Sequence, residues 1–500
     1  MNLGNYEQLL GLSREISSLE SVAKLLSWDE QTCMPECAST PRAEQRAVIA
    51  QELHRRQTSA EFGDLLAELD EGTRAGDLND AATANIRELR RVYVREAKVP
   101  TKLAQALTRS SSEAFYAWRE ARSQDNFRQF EPRLAELLQL TRERIDAIGY
   151  ECDPYDVLLE DYEPGLSLSH FVKIVTPLKV SLPSLVDKLR DQSTFERQQP
   201  DLPAAKAFEK LGRKVAVDFG FDLRSGRIDT ADSSFCTGLN MFDVRLASNI
   251  NSDNPVDSLY AIIHEVGHGL YHQGLPPEHR GTPLGRTNSL SLHESQARWW
   301  ENFVGRSRPF CEHYLPFLQE FQNGGTQLTV ERLYRQINQV RPSLIRVEAD
   351  EVTYNLHVLL RVELEVDLIH GRLGVKDLPD VWNQKMSEYL GIVPKGTLQG
   401  VLQDIHWSRG MFGYFGTYLL GNVIAARWHE QLTGDIRDFD DLIRSGNYTP
   451  LLEWMRKHVH RHGSRFTAPE LVRNVTGCDI DATPLLDHLV SKFTTINRSV

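Results

Sequence analysis

Residues 264–268, His264-Glu265-Val266-Gly267-His268, place two imidazoles four positions apart with a carboxylate directly after the first. On a helix, residues four apart lie one above the other on the same face, so both rings can reach one ion. Zinc accepts imidazole nitrogens at about 2.0 to 2.1 Å, and the pair would supply half of a tetrahedral shell. Glu265 then stands where it can take a proton from a water activated at the ion, and the chemistry indicated is metal-assisted hydrolysis. In a chain of 500 residues with 16 histidines, such a pattern arises by chance at roughly a few per cent, so its surroundings decide.

His272 extends the stripe by one more step of four, but it lies about 12 Å along the helix from His264 and cannot share its ion. It is expected either to face solvent or to support the ligands. The metzincin pattern of a third histidine is absent, because Tyr271 and Gly274 occupy its glycine and histidine positions. A carboxylate must therefore complete the site, and the leading candidate is Glu294 in Ser291-Leu292-His293-Glu294-Ser295-Gln296. The same residues also read as a capping box in which Glu294 bonds the Ser291 amide, and spacing alone weighs the two equally. Glu278, His279, His293 and Glu301 are weaker alternatives.

The elements that must hold these groups are mostly helical. Apolar residues at Leu9, Leu12, Ile16, Leu19, Ala23 and Leu26 mark one face of a long first helix ending near Met34-Pro35. Thr40-Pro41 reads as the cap and first position of a second helix, to about Arg56. Similar patterns predict helices over 80–97, 101–122, 130–148, 168–190 (interrupted at Pro177 and Pro183) and 204–219. The metal helix follows over 256–273, and further helices over 330–340, 349–370, 376–390, 411–429 and 449–458. Between 223 and 251 the period changes, and Met241 to Leu246 is the best strand candidate. An edge strand beside the metal helix would offer unpaired backbone groups to an extended peptide. The expected fold class is mainly α, a single domain over 1–500, with a small sheet, a possible lobe boundary near 192–203 and a metal-site core over about 224–430.

Four motifs together resemble the metallocarboxypeptidases of the carboxypeptidase Taq type. They are His264 to His268, His293 to Gln296, Ile345-Arg346-Val347-Glu348-Ala349-Asp350, and Gln403-Asp404-Ile405-His406-Trp407. An early Leu26-Ser27-Trp28-Asp29-Glu30-Gln31-Thr32 segment is similar as well, so the resemblance spans nearly the whole chain. It implies ligands at His264, His268 and Glu294, Glu265 as catalytic base, a helical saddle-shaped body with a deep groove, and a homodimer. It also raises Arg346 from half of an ordinary helical ion pair with Asp350 to a candidate for gripping a terminal carboxylate through two parallel donors. His406 is a candidate stabiliser of the tetrahedral intermediate, and Tyr414 and Tyr418 are candidate donors to the carboxylate or the oxyanion. Asp404 is a candidate acceptor behind a metal-site histidine. Three segments depart from the family pattern: Ser233-Ser234-Phe235 for His-Pro-Phe, Ala247 for a threonine, and Gly416 for a proline.

The predicted activity is zinc-dependent release of amino acids one at a time from peptide C-termini with broad specificity, with cobalt as a possible substitute metal. The alternatives are an endo-acting zinc oligopeptidase or a helical binding scaffold with a vestigial site. A formal charge of −12 argues against a nucleic-acid partner. No run of 18 apolar residues and no leader-like N-terminus is present, and a cytoplasmic enzyme is expected. The six cysteines are scattered, and most read as buried small hydrophobes.

Overall fold

The computed structural model describes residues 3–74, 78–192, 205–249, 255–287, 289–321 and 327–498. Among the described residues the chain is mainly helical with one small sheet, as its periodicity predicts. It divides into two compact units, each assembled from three stretches of sequence. The first comprises Met1–Ala97, Gln198–Ile337 and Trp428–Cys478, and the second Lys98–Arg197, Asn338–Arg427 and Asp479–Val500. Positions 193–203 of the stretch read as a lobe boundary lie outside the described residues.

In the first unit the opening helix runs Leu3–Thr32 and the next Ser39–Gln57, within two residues of expectation at the ends compared. Leu9 and Ile16 are buried against Phe62, Leu65, Leu66, Leu69 and Ile86, so the apolar stripe does face a core. The sheet has the order β1 (Gly226–Thr230), β3 (Asp243–Ser248), β2 (Phe235–Asn240), with β1 parallel and β2 antiparallel to β3. Val244 and Leu246 share the buried face of β3, which packs against the metal helix, Pro255–Gly274. The β2 edge is partly closed, because Ser21 Oγ donates to Leu239 O at 2.7 Å and Lys24 Nζ to Gly238 O at 3.1 Å.

In the second unit the helix Leu168–Gln192 continues through Pro177 and Pro183, where an interruption was expected. Each proline removes one backbone donor, but Leu178, Leu182 and Val186 are fully buried on one face, and that packing holds the helix together. The helix expected from Ala349 starts later, at Thr353, after a short 3-10 turn over Arg346–Glu348. Asp350 is the reason: its Oδ1 accepts from the amides of Val352 and Thr353, so it caps the helix and is not available to Arg346. The cysteine expectation also fails, since Cys311 alone is buried while Cys33, Cys37, Cys152 and Cys478 are exposed.

Candidate metal centre

His264, Glu265 and His268 project from the middle of the metal helix in the first unit. Glu294 comes from the next helix, Leu290–Arg298, which packs across it. Gly267 permits that approach: a Cβ there would lie 2.6 Å from Ala297 Cα and 2.8 Å from Gln296 O, both backbone atoms. The capping-box alternative for Glu294 is not what caps this helix. Its cap is Ser289, whose hydroxyl accepts from the Leu292 amide at 3.0 Å.

The two imidazoles are oriented through their Nδ1 atoms. His264 Nδ1 donates to Glu301 Oε2 at 3.0 Å and His268 Nδ1 to the His293 carbonyl at 3.1 Å. Both Nε2 lone pairs are thereby left for a ligand, and they face the same oxygen, Glu294 Oε2, at 3.8 and 3.6 Å. Among the described residues these three side chains form the one group that could hold an ion, with ligand atoms within 4.8 Å of one another. Tetrahedral ligand atoms at about 2.0 to 2.1 Å from an ion lie roughly 3.3 Å apart, so small side-chain adjustments suffice. Two imidazoles and a carboxylate, with each histidine braced from behind, are a donor set that fits a catalytic divalent metal.

The weaker alternatives for the third position have other work. Glu301 holds His264 Nδ1 and is itself gripped by Arg298 and Arg306. It lies in a π-helical continuation, Trp299–Gly305, where the Arg306 amide reaches the Glu301 carbonyl five residues back at 2.9 Å. That spacing stacks the two side chains, which an α-helix would turn apart. The His293 ring lies flat on His268, centroids 3.9 Å apart, and its Nε2 meets His272 Nε2 at 3.1 Å. His272 is thus a support behind the ligands, the second of its two expected places. Glu278 and His279 fall on a short turn with no buried residue and outside the group.

Burial sets the electrostatics. It pushes the Glu265 carboxyl up to about 7, reinforced by Glu294 and Glu301 and opposed by His264. Burial also drags His268 well below its usual range, helped by His293. For His264 the same burial is outweighed by Glu294 and Glu301, and its pKa is raised. Glu301 goes the other way: burial is overcome by Arg298, His264 and Arg306, which hold it below the ordinary carboxylate range.

The remaining predicted site residues, Arg346, His406, Tyr414 and Tyr418, gather into one cluster inside the second unit. Arg346 donates from Nε and Nη2 to Asp404 Oδ1 at 3.0 and 2.9 Å and from Nη1 to the Tyr354 hydroxyl at 3.1 Å. The other Asp404 oxygen accepts from Arg361 Nε at 2.6 Å. Asp404 is therefore shared by two guanidinium groups, a correction to its expected place behind a metal-site histidine. His406 Nε2 meets the Tyr418 hydroxyl at 3.2 Å, while its buried Nδ1 has no hydrogen-bond partner among the described residues. Tyr414 packs against both, tilted on His406 and edge-on to Tyr418, with centroids 5.1 and 5.2 Å away. Burial pushes His406 down to about 3, so it is a neutral imidazole.

A helical body carrying a His-Glu-x-x-His helix, a carboxylate from the next helix and a buried glutamate beside them defines a metal-dependent peptidase. The comparisons with known proteins carry this to the family. Residues 8–493 match the family described as Carboxypeptidase Taq (M32) metallopeptidase, and the chain belongs to it. It is similar to thermostable carboxypeptidase 1 of Thermus thermophilus, 38% identical over 98% of each chain. Carboxypeptidase 1 of Bacillus subtilis is 33% identical over 99% of each. The crystal structure of the M32 carboxypeptidase from Deinococcus radiodurans superposes with a TM-score of 0.93 at 32% identity, covering 99% of this chain and 100% of that one. The protein is thus a metallocarboxypeptidase, a hydrolase of peptide bonds. No helix among the described residues is long and apolar enough to cross a membrane.

Sequence reasoning missed Arg298, Arg306 and Arg361, which act by holding the carboxylates of Glu294, Glu301 and Asp404. Arg298 was findable, since it stands four residues after Glu294 on one helix face.

Proposed function

We propose that the protein is a zinc-dependent carboxypeptidase of broad specificity that releases single residues in succession from peptide C-termini. The observation that carries this is the convergence of His264 Nε2 and His268 Nε2 on Glu294 Oε2, with both Nδ1 atoms already engaged. His264, His268 and Glu294 hold the ion, and two nitrogens with one oxygen suit zinc, with cobalt as a substitute. When bound there, the ion supplies a Lewis acid for the scissile carbonyl and a lowered pKa for a water.

Glu265 acts as the general base. It takes a proton from the attacking water and returns it to the leaving amine, and no covalent acyl-enzyme forms. Arg346 receives the terminal carboxylate, assisted by Tyr414 and Tyr418, and His406 is a donor for the developing oxyanion. The family match runs through every segment of both units, which supports treating 1–500 as one peptidase. A homodimer belongs to the same proposal on the family resemblance alone, and sedimentation of the purified protein tests it.

The experiment is mass spectrometry of a long peptide during incubation with the protein. A ladder of products shortened by one residue at a time from the C-terminus is expected, and fragments from internal cleavage would overturn the reading.

A further inference from the structure

We propose that Arg298 is a positioning residue that reserves one oxygen of Glu294 for the ion and ties Glu294 to the brace behind His264. The inference rests on the ligand assignment above and deepens it. Glu294 presents Oε2 to both imidazoles, and what keeps it so is visible on its other oxygen. Arg298 Nε donates to Glu294 Oε1 at 2.8 Å. From the same guanidinium, Nη1 donates to Glu301 Oε2 at 3.2 Å, the oxygen that also accepts from His264 Nδ1 at 3.0 Å. Glu301 cannot turn to follow, because Arg306 Nη2 holds its Oε1 at 3.1 Å.

The planar guanidinium therefore bridges two carboxylates with fixed directions, which a lysine ammonium cannot reproduce. Glu294, Arg298 and Glu301 are spaced by four and three residues, and their side chains share one helix face. The consequence is mechanical. If Glu294 rotates to offer both oxygens to an ion, it loses Arg298, and Arg298 in turn loosens the acceptor that orients His264. The arrangement favours a single ligating oxygen from Glu294.

The test strips the metal and adds cobalt(II) alone, reading its visible absorption and its affinity against a competing chelator. Arg298→Gln should alter the positions and intensities of the cobalt bands as the second Glu294 oxygen becomes free, and should weaken cobalt binding about ten- to a hundredfold. Arg298→Lys keeps the charge but not the fork, so its spectrum should also depart from the native one. It carries the test if the glutamine variant does not fold. A native cobalt spectrum in either folded variant overturns the proposal. Glu294→Ala separates this from the assignment beneath it: that variant should hold no cobalt at the site. If it retains the native spectrum, the ligand assignment itself is wrong. If it loses cobalt while Arg298→Gln keeps the native spectrum, only the role of Arg298 falls.

Discussion

Glu301 Oε2 lies 3.0 Å from His264 Nδ1 and fixes which nitrogen of that imidazole carries the proton. Arg298 and Arg306 hold that carboxylate below its usual range, and with Nδ1 engaged there it is Nε2 that is turned toward Glu294. Replacing Glu301 with alanine should weaken metal binding about ten- to a hundredfold while the chain remains folded. Competition with a chelator measures it, and native affinity in the variant would remove Glu301 from the account.

Metal removal should act on stability as well as on turnover. Glu294 faces the Nε2 atoms of two imidazoles while Glu301 braces one of them from behind, and an ion that binds only the folded chain stabilises it by about 2.7 kcal/mol at a hundredfold excess over its dissociation constant. Chelation should abolish peptide hydrolysis and lower the melting temperature, and zinc or cobalt should restore both. A melting curve indifferent to chelator, with activity intact, would contradict the proposed site.

Gly267 is where the two ligand-bearing helices touch. Alanine there would bring a methyl group to 2.6 Å from Ala297 Cα, and backbone cannot yield as a flexible side chain does. Gly267→Ala should cost about 1 to 3 kcal/mol by overpacking and should weaken the metal by moving Glu294 away from the imidazoles. Denaturant unfolding and metal analysis are the measurements, and native values in both would show that the contact is relieved elsewhere.

The histidine pair was readable because it rests on local periodicity: His264 and His268 are one helical turn apart. Glu294 was not settled by spacing, which weighed it evenly against a capping box beside four rivals, and only the family resemblance put it forward. What was not readable depends on geometry that spacing does not encode. Glu301 looked like a rival ligand, and only the π-helical turn after Arg298, with Arg306 stacked above it, shows why it faces Nδ1. Arg346 and Asp350 were read as four apart on one helix, but Asp350 caps a helix that starts at Thr353, and Arg346 turns to Asp404 instead. Pro177 and Pro183 failed as breaks because burial of Leu178, Leu182 and Val186 outweighs two missing donors. The exposed cysteines show the same limit, since side-chain type sets a preference for burial and packing decides it.

Arg346 gives the prediction closest to substrate choice. Its guanidinium is already bonded to Asp404 and Tyr354, so a terminal carboxylate must compete with or extend that network. Losing charge-assisted hydrogen bonds of about 1.5 to 3 kcal/mol implies a fall in kcat/KM of roughly ten- to a hundredfold for Arg346→Ala. Metal content should not change. C-terminally amidated peptides should be poor substrates for the native protein, and the variant should discriminate less between amide and acid. An equal loss on both kinds of peptide would leave Arg346 a purely structural partner of Asp404.

If His264, His268 and Glu294 hold the metal while Glu265 does the proton transfer, the two functions separate in Glu265→Gln, and metal stoichiometry measured alongside turnover in that variant decides the matter. The amide keeps the size and burial of the native side chain but cannot accept the proton. Near-stoichiometric metal is expected, with turnover reduced by about a hundred- to ten-thousandfold. A variant that retains its metal and hydrolyses peptides at close to the native rate would contradict that separation.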